Sequence, residues 1–150
     1  MRRVLFIAYL FPPIRNSGTR RSLCFANHLP DLGWEPRVLS WEPDPRAELD
    51  PELLAEVRPG TRVERVPLLS HVRARRWMGW LPARWRGRGV EALAWRLRER
   101  ATIPDQAAGW LPTAVERAVQ LHEETGFDAI YASAWPYTAF LTSREVSRRT

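Results

Sequence analysis

Residues 4–32 carry the feature that most limits what this chain can fold into. Val4-Leu5-Phe6-Ile7-Ala8 is an unbroken apolar run, the pattern of a strand buried on both faces. It ends in Tyr9-Leu10-Phe11-Pro12-Pro13, and a polar turn, Ile14-Arg15-Asn16-Ser17-Gly18, leads to a helix opening at Thr19-Arg20-Arg21. Strand, glycine-bearing loop and helix is how α/β proteins offer backbone N–H groups to a ligand at the carboxyl end of a strand. Two arginines beside the helix start favour an anionic ligand.

The rest of the chain repeats the alternation. Thr19 to Leu32 places Leu23, Ala26, Leu29 and Leu32 on one helical face, and Gly33 supplies the stop. Trp34 to Trp41 reads as a second strand, Pro51 to Val57 as a short helix and Thr61 to Pro67 as a third strand. Val90 to Arg100 has one apolar face and reads as a helix. Ile103 to Leu111 reads as a loop, and Thr113 with Glu116 matches a capping box that opens a helix ending before Gly126. Phe127 to Ser133 is the fourth expected strand, and Tyr137 onward is helical. Strands alternating with helices predict an α/β fold, a Rossmann-like, doubly wound parallel sheet of about four strands.

For strand order 3-2-1-4 the direction of winding reverses between the first and fourth strands, and ligands bind beyond the carboxyl ends at such a reversal. Two loops arrive there: Pro12 to Arg21, and Ser133-Ala134-Trp135-Pro136-Tyr137. The site is expected between them.

Several chemistries find no support. The 150 residues suit one domain. A single cysteine, Cys24, excludes an internal disulfide and reads as a small buried thiol on the first helix. His28, His71 and His122 show no ligand spacing, so no metal site is expected, and no cofactor. There is no P-loop. Gly87-Arg88-Gly89-Val90-Glu91-Ala92 matches a dinucleotide fingerprint in letters only, because Arg84-Trp85-Arg86 rather than a strand precedes it. No Ser–His–Asp or Cys–His set can be assembled, and no paired metal-binding carboxylates occur. Arg2-Arg3 before an apolar run superficially resembles a signal peptide, but the run ends in Pro12-Pro13 without a small-residue cleavage site. No segment approaches the roughly 18 apolar residues of a spanning helix. A cytoplasmic location is expected, with membrane contact only at the surface.

The opening residues Arg3 to Pro13 with Gly18-Thr19-Arg20-Arg21 resemble the start of a glycosyltransferase family 4-like N-terminal domain. The similarity continues through Leu29 to Leu39 and returns at Ile103-Pro104-Asp105, Gly109-Trp110-Leu111-Pro112 and Phe127 to Thr138, in the family's order. The resemblance implies a GT-B architecture, in which two Rossmann-like domains face a cleft. The N-terminal domain would hold the acceptor, a glycan or lipid-linked molecule of the kind used in cell-envelope polysaccharide synthesis. The C-terminal domain would bind the nucleotide-sugar donor and carry the carboxylates most tied to transfer. By this analogy Gly18 lies closest to the donor diphosphate, because a side chain there would block backbone approach. Ser17, Thr19, Arg20 and Arg21 flank it, although the arginines equally fit a solvated helix face. Ser133, Trp135 and Tyr137, with Asp105 and Trp110, would border the acceptor pocket; Trp135 and Tyr137 fit simple packing against the last helix somewhat better. The catalytic residues are not identifiable.

The chain departs from the pattern in two respects. Its first loop has one glycine where such loops often have two or three. It also stops at Thr150, short of the remaining sheet and the second domain, so an incomplete N-terminal half without transferase activity of its own is expected.

Charge is unevenly placed. All 23 basic residues are arginine, which discounts any single one of them. Residues 71–100 nevertheless carry a net charge of +7 against +6 for the whole chain. There Trp77, Trp80, Trp85 and Trp95 are interleaved with Arg73, Arg75, Arg76, Arg84, Arg86 and Arg88. Arginine attracts anionic headgroups and tryptophan settles at the headgroup boundary. Arg73, Arg75, Arg76, Trp77, Trp80 and Trp85 are therefore candidates for docking on the inner membrane face. A solvated basic face with its tryptophans packed on the sheet fits as well. The alternative to a transferase is a non-catalytic module that binds membrane or nucleic acid through this segment. Nothing around the segment resembles a nucleic-acid-binding fold.

Overall fold

The computed structural model describes residues 1–44, 47–68 and 104–150. Four strands, β1 (Arg2–Ile7), β2 (Trp34–Trp41), β3 (Arg62–Val66) and β4 (Ala129–Ala132), form one sheet in the order β3-β2-β1-β4. All three pairings are parallel, with Phe6 opposite Val38 and Tyr131 and Val38 opposite Val63. The expected α/β class and strand order are both present.

The helices cover both faces. On one side α1 (Ser17–His28) and α2 (Glu52–Ala55) pack Leu23, Ala26 and Leu53 onto Phe6, Ala8 and Val38. On the other, α3 (Leu111–Thr125) and α4 (Thr138–Arg149) pack Val115, Leu121, Ala139 and Val146 onto Leu5, Ile7 and Leu39. Successive strand residues point to opposite faces, so an unbroken run such as Val4 to Ile7 serves two cores at once. Phe6, Leu5 and Ile7 are fully buried, and each such side chain contributes about 1.5–3 kcal/mol of burial energy.

Several local expectations change. The first helix starts at Ser17, two residues earlier than its apolar spacing suggested, because the Asn16 side chain accepts from the Gly18 N–H at 2.9 Å and caps it. It also ends earlier, at His28, and Leu29–Leu32 continue as a tighter 3-10 turn. That change of pitch swings Leu32 outward, where it is 74% exposed, instead of keeping it on the apolar face. Gly33 stops the segment at φ 80°, as its position suggested. Cys24 is exposed, not buried, because the inward stripe of α1 is Thr19, Ser22, Leu23 and Ala26. The Thr113–Glu116 capping box is not formed. The third helix begins at Leu111 with Pro112 in its first turn, and Thr113 Oγ1 instead donates to the Pro67 carbonyl at 2.9 Å. Within the expected loop, Ala108–Trp110 form a 3-10 turn. The expected helix at Val90 to Arg100 lies outside the described residues.

A polar clamp holds α3 to the sheet edge. Arg117 reaches Glu64 of β3 at 3.1 Å and Glu124 of its own helix at 2.8 Å. The hydrogen bond to Glu124, followed by Glu64, holds the guanidinium pKa above its ordinary value.

Candidate functional site

The connection from β1 to α1 is a packed structure in its own right. Leu10, Phe11 and Ile14 are buried. The Arg15 N–H donates to the Glu48 carbonyl at 2.8 Å and the Asp50 N–H to the Pro13 carbonyl at 2.7 Å. Together these lay Ile14 antiparallel to Leu49 as an isolated bridge. From β3, Arg65 crosses β2 and donates through Nη2 to the Pro12 carbonyl and through Nη1 to the Trp41 carbonyl at 3.5 Å. Burial lowers the Arg65 pKa, and the charge of Glu42 partly opposes that effect. Sequence reasoning missed Arg65, since a single arginine in an arginine-rich chain carries no signal.

The residues of this loop expected near a donor phosphate separate into four groups. Ser17 and Arg20, with Arg15, Asn16, Asp50 and Leu53, line a cavity of about 300 Å³ on the α2 side of the loop. Its two arginines already face carboxylates: Arg15 lies 3.3 Å from Glu48, and Arg20 lies 3.9 Å from Glu56. Thr19 is fully buried, and its Oγ1 finds no hydrogen-bond partner among the described residues. Gly18 is close-packed within the protein itself: a Cβ there would lie 3.1 Å from Leu10 Cδ1 and 3.3 Å from Asn16 Oδ1. Its lack of a side chain therefore has an intramolecular reason beside any ligand.

Arg21 turns the other way, toward β4. Its Nε donates to Ser133 Oγ at 3.4 Å, while the same hydroxyl donates to the Ala134 carbonyl at 3.2 Å. The Ser133 N–H bonds the Ile7 carbonyl at 3.0 Å, so the turn after β4 starts on the last residue of β1. The two loops expected to converge are in fact joined, across the point where the sheet reverses its winding. Trp135 and Tyr137 project from this turn and are 55% and 58% exposed. Ser133 itself is buried, its hydroxyl engaged by Arg21 and Ala134, so what the turn offers a ligand is two exposed rings that can stack on an apolar face, beside the exposed Arg21.

Asp105 and Trp110 serve the frame. The Asp105 carboxylate accepts from the Thr138 N–H at 2.9 Å, the Thr138 hydroxyl at 2.6 Å and the Ala107 N–H at 2.9 Å. It thereby holds the first turn of α4, and both oxygens are engaged. Trp110 is fully buried, with its indole N–H on the Val66 carbonyl at 3.1 Å and its ring edge-on to Tyr9. It has no surface to offer an acceptor.

No family model, curated protein or solved structure matches this chain.

Among the described residues no cluster of His, Cys, Asp or Glu could hold a metal ion. Among them, too, no helix is long and apolar enough to cross a membrane. The membrane-surface candidates Arg73, Arg75, Arg76, Trp77, Trp80 and Trp85 lie outside the described residues.

Proposed function

We propose that this chain is the acceptor-side part of a GT-B glycosyltransferase, with a Rossmann-like sheet forming one wall of the cleft. The observation that carries the reading is the Arg21–Ser133 hydrogen bond, which brings a basic helix start and an aromatic turn to one place. In this reading the backbone around Ser17–Arg21 faces the diphosphate of a nucleotide-sugar held by a second domain. Arg21 balances phosphate charge, and Ser133, Trp135 and Tyr137 receive a glycan or lipid-linked acceptor. The Gly18 and Thr19 N–H groups are taken up by Asn16, while the described residues contribute a cation and aromatic faces. They offer no free carboxylate at the turn to act as a base, since Asp105 is spent on Thr138.

The division of labour has a direct test. The purified chain, incubated with a panel of nucleoside-diphosphate sugars and lipid-linked acceptors, should transfer no sugar. Donor turnover by the chain alone would show that one wall suffices, and the half-cleft reading would fall. Protection of the Ser133–Tyr137 turn by an acceptor, without turnover, is the result expected.

A further inference from the structure

The sheet ends openly at β4, which among the described residues pairs with β1 alone. Parallel strands are ordinarily covered on both faces, and β1 is buried over Val4 to Ile7. In β4, by contrast, Ala129, Ile130 and Ala132 are half-buried and Tyr131 is 37% exposed. At four residues β4 is short, yet it carries neither the charge nor the proline that usually keeps an edge from pairing. Alternate N–H and C=O groups of such a strand point out of the sheet with no strand to meet them.

The side chains beside this edge are complementary to themselves. On the α1 face Phe25, 44% exposed, lies 5.5 Å from the Tyr131 ring, so an aromatic pair borders the open backbone. Arg21 stands at the carboxyl end of β4, on Ser133, and among the described residues no carboxylate meets its charge. Asp128 stands exposed at the amino end, with its Oδ2 accepting from the Arg3 N–H at 2.7 Å. A twofold axis through the middle of β4 lays two such strands antiparallel. Pairing centred on Ile130 or Tyr131 then sets Asp128 next to the partner's Ser133, where the partner's Arg21 sits. The two aromatic pairs fall on the same face of the joined sheet. α4 also turns Tyr137, Phe140 and Leu141 outward in one stripe, but side chains alone fit many surfaces. An open strand edge is more selective, because only another strand satisfies its backbone.

We propose that β4 is a dimerisation edge, at which two copies of this chain pair antiparallel and join their sheets into one. So short an interface makes a weak dimer, dissociating on the order of micromolar concentration. A guanidinium has several donors, so Arg21 can meet the partner's Asp128 and still face a ligand. The inference goes beyond the transferase reading and does not rest on it, because association is measured without donor or acceptor.

The test is sedimentation equilibrium of the full chain over a concentration series, with circular dichroism to confirm that each variant folds. The wild type should pass from monomer to dimer as concentration rises. Tyr131→Lys puts a charge on the edge and should weaken association on the order of tenfold or more. Arg21→Asp and Asp128→Arg each set like charges together twice per dimer and should weaken it by about tenfold. An equimolar mixture of these two variants regains both contacts, but only between unlike copies, and should associate about as tightly as the wild type. Asp128 also serves the Arg3 N–H, so Tyr131→Lys, which removes no such bond, is read separately. A chain that stays monomeric throughout, a dimer indifferent to Tyr131→Lys, or a mixture no tighter than its components would overturn the proposal. So would a dimer that survives Tyr131→Lys and is lost in F140S/L141S, since that contact belongs to α4.

Discussion

Arg21 Nε lies 3.4 Å from Ser133 Oγ, a contact between residues 112 positions apart in the chain. It ties the first turn of α1 to the turn after β4 at the reversal point of the sheet. The geometry is long and only partly buried, so the bond is an alignment device and not a major source of stability. A double-mutant cycle of Arg21→Ala and Ser133→Ala, followed by urea denaturation, should give a coupling below about 1 kcal/mol. A larger value would mean that the contact holds the two elements together.

Asp105 predicts a larger effect. Asp105→Ala removes the acceptor for three donors and leaves the buried Thr138 hydroxyl and N–H unpaired. A loss of about 2–3 kcal/mol is expected in guanidinium denaturation. Asp105→Asn, which keeps one carbonyl oxygen, should lose less. If Asp105 instead served a ligand, Asp105→Ala would leave stability unchanged.

How much of this could be read from the sequence differs by element. Val4 to Ala8 announced a buried parallel strand because a strand serving two cores has no polar face to hide. The alternation announced a parallel sheet, and the order 3-2-1-4, taken as a condition and not forced by that alternation, put the first loop beside Ser133. Asp105 was visible as a residue but its role was not, since a carboxylate 33 positions before its partner leaves no periodic trace. Arg65 was invisible for a related reason: its partners are backbone carbonyls of Pro12 and Trp41, which any residue provides. Cys24 was misplaced because its burial was read from residue type, whereas the spacing sets it one position off the Leu23–Ala26 stripe that faces inward. The outward stripe on α4 could have been found from the spacing of Tyr137, Phe140 and Leu141. Only the fold shows that it faces away from the core.

Arg65 should be replaceable by neither a neutral side chain nor lysine. Arg65→Met removes a half-buried guanidinium from two carbonyls and should cost about 1–3 kcal/mol. Lysine cannot fork between the two acceptors and should restore only part. Hydrogen exchange at the Ile14 and Arg15 amides should accelerate in both variants. Unchanged exchange there would show that the antiparallel bridge to Leu49 holds the loop unaided.

Gly18→Ala separates packing from ligand approach. The added Cβ crowds Leu10 and Asn16 at just over 3 Å, while alanine favours the helix by up to about 1 kcal/mol. The two effects oppose each other, and the melting temperature should change little. A variant as stable as the wild type that binds a nucleoside-diphosphate sugar more weakly would support close backbone approach at this position. Unaltered binding would leave the glycine with a packing role only.

The central claim is that the Ser17–Arg21 and Ser133–Tyr137 segments form one wall of a sugar-transfer cleft. It is tested most directly by recording amide shifts of isotope-labelled protein during titration with nucleoside-diphosphate sugars, and separately with lipid-linked saccharides. The account predicts that donors shift the amides of Ser17 to Arg21. Acceptors should shift Ser133, Tyr137 and the Trp135 indole N–H, while Trp110 stays silent in both. Silence of both segments toward every donor and acceptor, with strong salt-dependent shifts on adding a short nucleic acid, would contradict it.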